Sequence, residues 1–304
     1  MKLRLGFQQA ASFAVLAAWG AFVPNAAAQS SRDQLPEEAG FARAAGQDVQ
    51  PFFEGWQRLP DGHIVMWFGY LNRNYQEELD LPIGPGNRFD LRDDEGQPTH
   101  FYTRRRLFVF KVGVPDDWPA DKRLTWTLTA NGRTNTANGW LQPEWEVDEG
   151  VMQMNIGPGG APPVDPPNTA PGISVKGDTT VGVGKPLKLT ASATDDGIPT
   201  PRNRNRSASA PPPPRMPLPP AAAPLPRAQI GLRIRWILYR APAGGGRVAF
   251  EPDRSDILVG GTSAELATQV TFSAPGTYWL RAIASDGMLE TPYDLKVTVI
   301  EGQR

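Results

Sequence analysis

Cysteine is absent and histidine scarce, and the spacing of the remaining chemistry-bearing residues restricts what they could do. No serine lies between Ser31 and Ser174. A serine or cysteine nucleophile with a histidine base is therefore impossible across that stretch. The two histidines, His63 and His100, are single, with no HExxH or paired-histidine spacing to suggest zinc. His63 follows Pro60-Asp61-Gly62 and is expected to sit solvated in a turn. Carboxylates remain. Glu54, Glu77, Glu78 and Asp80 could in principle form an acid–base pair of the kind that hydrolyses glycosides. No spacing singles out a pair, however, and ordinary surface acids explain them equally well. The run Arg104-Arg105-Arg106 and the loop PIGPGNRFD (82–90) lack the glycine pattern and following helix of a phosphate cradle. Three arginines on a solvated strand edge, discouraging edge-to-edge pairing, is the simpler reading. No enzyme is implied.

The elements that must position these residues are strands. In residues 52–75, FFEGWQRLPDGHIVMWFGYLNRNY, the PDG triplet signals a turn. Beyond it, Ile64, Met66, Phe68 and Tyr70 point one way, while Val65, Trp67 and Leu71 point the other. A strand apolar on both faces belongs in the middle of a sheet or under a covering loop. Phe108, Phe110, Val112 and Val114 alternate in the next apolar run. Leu124, Trp126 and Leu128 alternate with threonines before Asn131-Gly132, a strong two-residue hairpin signal. No stretch shows a convincing 3.6-residue period. Residues 51–150 thus read as an N-terminal β-sandwich whose six tryptophans supply core area.

Before this domain, Lys2 and Arg4, the apolar run Ala10–Val23 and the Ala26-Ala27-Ala28 triplet have the order of a Sec-type signal peptide over 1–28. The apolar run is too short for a membrane-spanning helix, which needs about 20 residues, and no later segment is apolar enough to be one. With no cysteine there is no lipobox anchor and no disulfide. A periplasmic or secreted protein follows, not a lipoprotein. The net charge of −1 gives no electrostatic reason to expect nucleic acid or an anionic membrane surface. Residues 29–50 read as a flexible leader, and 151–170 as a Pro/Gly linker of extended geometry. Residues 199–229, basic and proline-rich, cannot build a core and read as a disordered insertion. Strand-like sequence resumes directly after them.

The remaining segments carry a resemblance. LKLTASATDDG (187–197), LRIRWILYRAP (232–242), VTFSAPGTYWLRAIASDG (270–287) and YDLKVTVI (293–300) resemble a PKD-type or related immunoglobulin-like domain of bacterial exported proteins. The most specific run is Phe272, Gly276, Tyr278, Leu280, Ser285, Asp286 and Gly287. The resemblance implies a seven-stranded sandwich over 171–301 with Tyr278 and Trp236 in its core. The alternation of Leu187, Leu189, Ala191 and of Tyr278, Leu280, Ala282 agrees with an inward face of period two. The N-terminal domain resembles only loosely exported bacterial proteins of unknown role.

That topology would bring Asp195, Asp196 and Asp286 to one pole, with Asn168 entering beside them. The NTAP, DDG and SDG motifs resemble interdomain calcium sites of tandem exported repeats, so Ca²⁺ is the one cofactor worth considering. Favoured turn residues are the plainer explanation. The fold expected is all-β, two sandwiches in tandem. The function expected is a non-catalytic binding or structural module of the bacterial cell envelope, with an envelope protein or glycan as partner. A carbohydrate-binding protein using exposed Trp56, Trp67, Trp118, Trp140 or Trp145 is the alternative, and a carboxylate-dependent hydrolase the weaker third.

Overall fold

The computed structural model describes residues 43–156, 167–200 and 229–301. The signal segment 1–28, the leader up to residue 42, linker residues 157–166 and the insertion residues 201–228 lie outside the described residues.

The two-faced strand of the sequence lies in the middle of a sheet. β2 (Ile64–Asn72) pairs antiparallel with β1 (Val49–Arg58) on one side and β6 (Arg104–Val114) on the other. The PDG turn joins β1 to β2, closed by hydrogen bonds between Leu59 and His63 and from Gly62 to Leu59. Between β2 and β6 come β3 (Leu79–Asp80), β4 (Asn87–Phe89) and β5 (His100–Phe101). β3 and β5 form a short ribbon of their own. β4 joins β7 (Leu124–Ala130) and β8 (Arg133–Gly139) in a second three-stranded sheet. The hairpin between β7 and β8 turns at Asn131 and Gly132, both at positive φ (48° and 76°), as an Asn-Gly turn requires.

The two sheets share an aromatic core. Phe68 lies 5.1 Å from Phe89, 5.8 Å from Phe110 and 6.1 Å from Trp126, ring centre to centre. Trp126 is fully buried, and its Nε1 donates to Asn87 Oδ1 at 3.0 Å. Asn87 Nδ2 in turn donates to the carbonyls of Leu81 and Pro98. The polar groups inside this aromatic core are thereby satisfied, as burial demands. Trp67 is on the other face of β2, half-buried against Phe108 rather than in the central core.

The C-terminal half forms the expected second sandwich with eight strands instead of seven. β9 (Gly172–Gly177), β11 (Leu187–Thr194), β14 (Ser263–Phe272) and β13 (Val248–Glu251) make one sheet. β10 (Thr180–Gly182), β16 (Glu290–Ile300), β15 (Gly276–Ser285) and β12 (Arg233–Arg240) make the other. The extra strand arises because the first strand breaks between Gly177 and Thr180. Its first part pairs antiparallel with β11, and its second part parallel with β16 in the facing sheet. Tyr278 and Trp236 lie in the core.

One helix contradicts the absence of 3.6-residue periodicity. α1 (Glu149–Ile156) begins at Asp148, whose Oδ1 accepts from Val151 N at 2.8 Å. It buries Met152 and Gln153 only. So short a helix draws its stability from packing and capping rather than from periodicity, which explains the weak sequence signal.

The sandwiches meet along a seam. Thr99 N–H, just before β5, donates to the Tyr239 carbonyl of β12 at 3.1 Å, which ties the β3–β5 ribbon to the edge of the second sandwich. Leu238 N–H donates to Tyr102 Oη, Ala241 N–H to Thr99 Oγ1, and Tyr239 Oη to the Gly96 carbonyl. Beyond these bonds, Leu289 of the second sandwich enters an apolar cluster with Val147 and Met152, flanked by Trp67 and Phe108. Among the described residues no helix is long and apolar enough to cross a membrane.

Candidate functional site

The densest group of titratable side chains sits on the ribbon at that seam. Alternation along β3 puts Glu78 and Asp80 on one side, and pairing with β5 sets His100 directly opposite Asp80. His100 Nδ1 lies 2.8 Å from Asp80 Oδ1 and Nε2 lies 3.1 Å from Glu78 Oε2, while Tyr102 packs edge-on at 4.6 Å. Burial opposes the imidazole's charge, but hydrogen bonds and attraction from both carboxylates outweigh it and push the pKa up to about 9. At neutral pH His100 is therefore a cation donating through both nitrogens, with no lone pair left to accept a proton. Glu78 and Asp80 each commit an oxygen to it, so the best-gathered carboxylates of the first sandwich serve as counter-ions. A cleft of about 250 Å³ opens beside them, lined by Asp80, Pro82, Thr99, Pro242 and Gly245.

The other sequence candidates are scattered. Glu77 Oε2 accepts from Gly46 N–H at the surface. Glu54 is on β1, its carboxylate 2.7 Å from Arg105 Nη2, and burial raises its pKa in spite of Arg105 and a bond from the Phe108 backbone. His63 is exposed in its turn, hydrogen-bonded to Asp116, as the turn predicted. The arginine run is on an edge strand but is not a free solvated row. Arg104 lies over Tyr75, Arg105 over Phe52 and Arg106 over Tyr102. Each guanidinium covers an aromatic face, so the run stabilises the edge by packing as well as by charge.

At the pole of the second sandwich, the residues singled out for Ca²⁺ come close to one another. Asn168, buried at 4 % exposure, donates from Nδ2 to Asp286 Oδ2 at 2.8 Å. Asp286 Oδ1 accepts from Met288 and Leu289 N–H, and Asp196 Oδ2 accepts from the backbone and hydroxyl of Thr169. Asp195 Oδ2 accepts from Gly197 N–H. Two buried oxygens, Asn168 Oδ1 and Asp195 Oδ1, have no hydrogen-bond partner. Burial, and then repulsion from Asp286 and Asp196, raise the Asp195 pKa to about 6. Among the described residues no group of three or more His, Asp or Glu side chains is arranged to hold a metal ion.

The tryptophans differ in exposure, with Trp67, Trp140 and Trp279 half-buried. Trp56, Trp118, Trp126 and Trp236 are buried, whereas Trp145 is 42 % exposed. Alternation could have assigned Trp126 inward, but nothing local distinguished Trp145 from the rest. The His100 cluster was equally missed. Glu78 and Asp80 were two apart on a strand, yet only the pairing of β3 with β5 supplies the third member.

No family model matches the chain, and no curated protein matches it. Among solved structures the chain is similar to the S-layer protein rSbsC(31–844) at 9 % identity and a TM-score of 0.26, covering 85 % of this chain. It spans 28 % of that S-layer chain. It is also similar to the D00–D0 domain of Intimin at 8 % identity and a TM-score of 0.24, covering 82 % of this chain and 99 % of that one. At these scores neither likeness decides the architecture. The strand pairing does.

Proposed function

We propose that this chain is a non-catalytic structural or binding module of the bacterial cell envelope, exported by residues 1–28, with the second sandwich of PKD type. The observation that carries this reading is the seam: the Thr99–Tyr239 backbone bond, the buried Arg281 of the second sandwich donating to the Val109 carbonyl of the first, and the Leu289 cluster join two sandwiches into one body suited to a spacer or scaffold. The chemistry-bearing residues support it. Glu78 and Asp80 are both committed to His100, and Glu54 pairs with Arg105, so three of the four acids considered for a hydrolase are held in ion pairs. A glycan platform drawn from several of Trp56, Trp67, Trp118, Trp140 and Trp145 has less support, because Trp56 and Trp118 are buried.

Within this reading Ca²⁺ at the pole of Asn168, Asp195, Asp196 and Asp286 is a second, narrower proposal. Its support is the pair of buried oxygens without partners, which a hard oxygen-seeking cation would satisfy. The same ion would offset the crowding of the aspartates.

Cell fractionation tests the export half of the reading. The full chain should appear in the periplasm or medium, and a version starting at residue 29 should stay in the cytoplasm; cytoplasmic retention of the full chain would overturn it. Complementation of a deletion strain tests the other half. Glu78→Gln combined with Asp80→Asn should complement as long as the protein folds, and failure with folded protein would restore the hydrolase.

A further inference from the structure

The exposure of Trp145 has a local construction behind it. The register of β1 against β2 slips between Phe53 and Gly55. Gly55 has a φ of 134°, and a Cβ there would lie 2.7 Å from the Trp145 carbonyl oxygen. The missing side chain lets the 3-10 turn Pro143–Trp145 lie directly on β1. Val147 N–H donates to the Trp56 carbonyl at 2.8 Å, and Trp56 Nε1 donates to the Gln142 carbonyl at 2.7 Å. The turn is thus tied down on both sides of Trp145.

The indole it presents belongs to a series of near-parallel rings capped by a guanidinium. Arg123 places its guanidinium 4.9 Å from the Trp140 ring centre. Phe53 lies 6.1 Å from Trp140 at 23° and 5.6 Å from Trp145 at 19°. The series runs guanidinium, indole, phenyl, indole. Among the described residues it carries a cation over Trp140 and none over Trp145. Glu144 and Glu146 flank Trp145 and are exposed, as are Asp148 and Glu149. Residues 141–156 contain no lysine or arginine. None of Glu144, Glu146 and Glu149 has an ion-pair partner among the described residues.

We propose that Trp145, flanked by Glu144 and Glu146, is a docking site for an arginine- or lysine-bearing segment of a partner protein. A cation over an indole face is attracted by the ring quadrupole, and neighbouring carboxylates add charge-assisted hydrogen bonds to the same group. Arg123 over Trp140 shows the same pairing already made within this chain. Charge complementarity selects the occupant: a neutral sugar could hydrogen-bond the carboxylates but would leave their charge uncompensated, and an anionic polymer would be repelled. An anchored indole loses little freedom on binding, which favours it as an anchor. The proposal goes beyond the envelope reading and stands or falls separately from it.

The test follows the indole N–H signals of the full ¹⁵N-labelled chain while a capped peptide of alternating arginine and glycine is added. Parallel titrations use the same peptide with glutamine for arginine, and a neutral gluco-oligosaccharide. The arginine peptide should shift the signal that is missing in Trp145→Ala, with binding that weakens as salt rises. Trp145→Ala should lose about two- to fivefold in affinity, the range of one exposed cation–indole contact. Glu144→Gln with Glu146→Gln, both on exposed side chains, should lose a similar factor while melting like the wild type. Equal binding of the glutamine peptide would overturn the proposal, as would unchanged binding by either variant. A Trp145 signal that answers the oligosaccharide and not the arginine peptide would do the same and favour a glycan.

Discussion

Arg281, on β15 of the second sandwich, donates from Nη1 to the carbonyl oxygen of Val109 in the first at 2.6 Å. The same guanidinium holds Asp294 through Nε and Nη2 at 2.6 and 2.8 Å and lies 3.5 Å from the Tyr239 ring centre. Val109 is available because β6 bulges there: the register against β2 slips at Gly69, and Phe108 takes a φ of 47°. Glu54 on β1 accepts from the Phe108 backbone and steadies the bulge. A chain of contacts thus runs from Glu54 through Phe108, Val109 and Arg281 to Asp294.

Arg281→Met should therefore cost about 2–4 kcal/mol, since it removes charged hydrogen bonds and strands a partly buried carboxylate. Urea unfolding of the wild type should show one transition covering both sandwiches. Two well-separated transitions in the wild type would mean that the seam does not couple them.

His100 predicts an alkaline weakness. Its folded pKa, about 9, is above the ordinary histidine value, so the native state holds the proton more tightly. The stabilisation is fully present below about pH 6.5 and is lost as pH rises through about 9. His100→Gln should flatten the stability profile between those values. An identical profile in wild type and variant would show that the ring is not held as a cation.

Asp195 predicts a slope of the same direction at lower pH. Its folded pKa, about 6, is above the ordinary aspartate value, so ionisation weakens the folded state. Stability should rise as pH falls from about 6 toward about 4, and Asp195→Asn should remove that rise. Melting at pH 7 with Ca²⁺ and with chelator then separates the two accounts of the pole. A bound ion at a hundredfold excess over Kd adds about 2.7 kcal/mol. The same melting temperature in both conditions would leave the aspartates as turn residues alone.

Phe68→Ala should destabilise by about 3–5 kcal/mol, because Phe68 touches Phe89, Phe110 and Trp126 in a core that cannot collapse around the gap. His63→Ala, on an exposed turn, should stay within about 0.5 kcal/mol of wild type. A Phe68→Ala protein that melts normally would refute the aromatic core.

The two sandwiches, the central place of β2, the Asn131-Gly132 turn and the burial of Trp236 and Tyr278 were all legible in the sequence. The first sandwich, β2, the turn and Tyr278 rest on local chemistry, since alternation marks which face is buried and only certain residues accept a positive φ. The second sandwich and Trp236 rest on the resemblance to an immunoglobulin-like domain. The sequence also brought Asp195, Asp196, Asp286 and Asn168 to one pole, through the resemblance of the second half to an immunoglobulin-like domain. What tertiary structure alone decided is everything set by pairing between distant strands. His100 became a clamped cation because β5 lies against β3, and the arginine run became a row of covered aromatic faces because Tyr75, Phe52 and Tyr102 fold back beneath it. α1 formed from a segment without helical period because a packed neighbour and a cap outweigh propensity in so short a helix. Trp145 was left at the surface while Trp56 was buried because a glycine bulge in β1 lifts one turn onto the strand. Sequence alternation states which side of a strand a residue is on; it does not state what another part of the chain will place over that side.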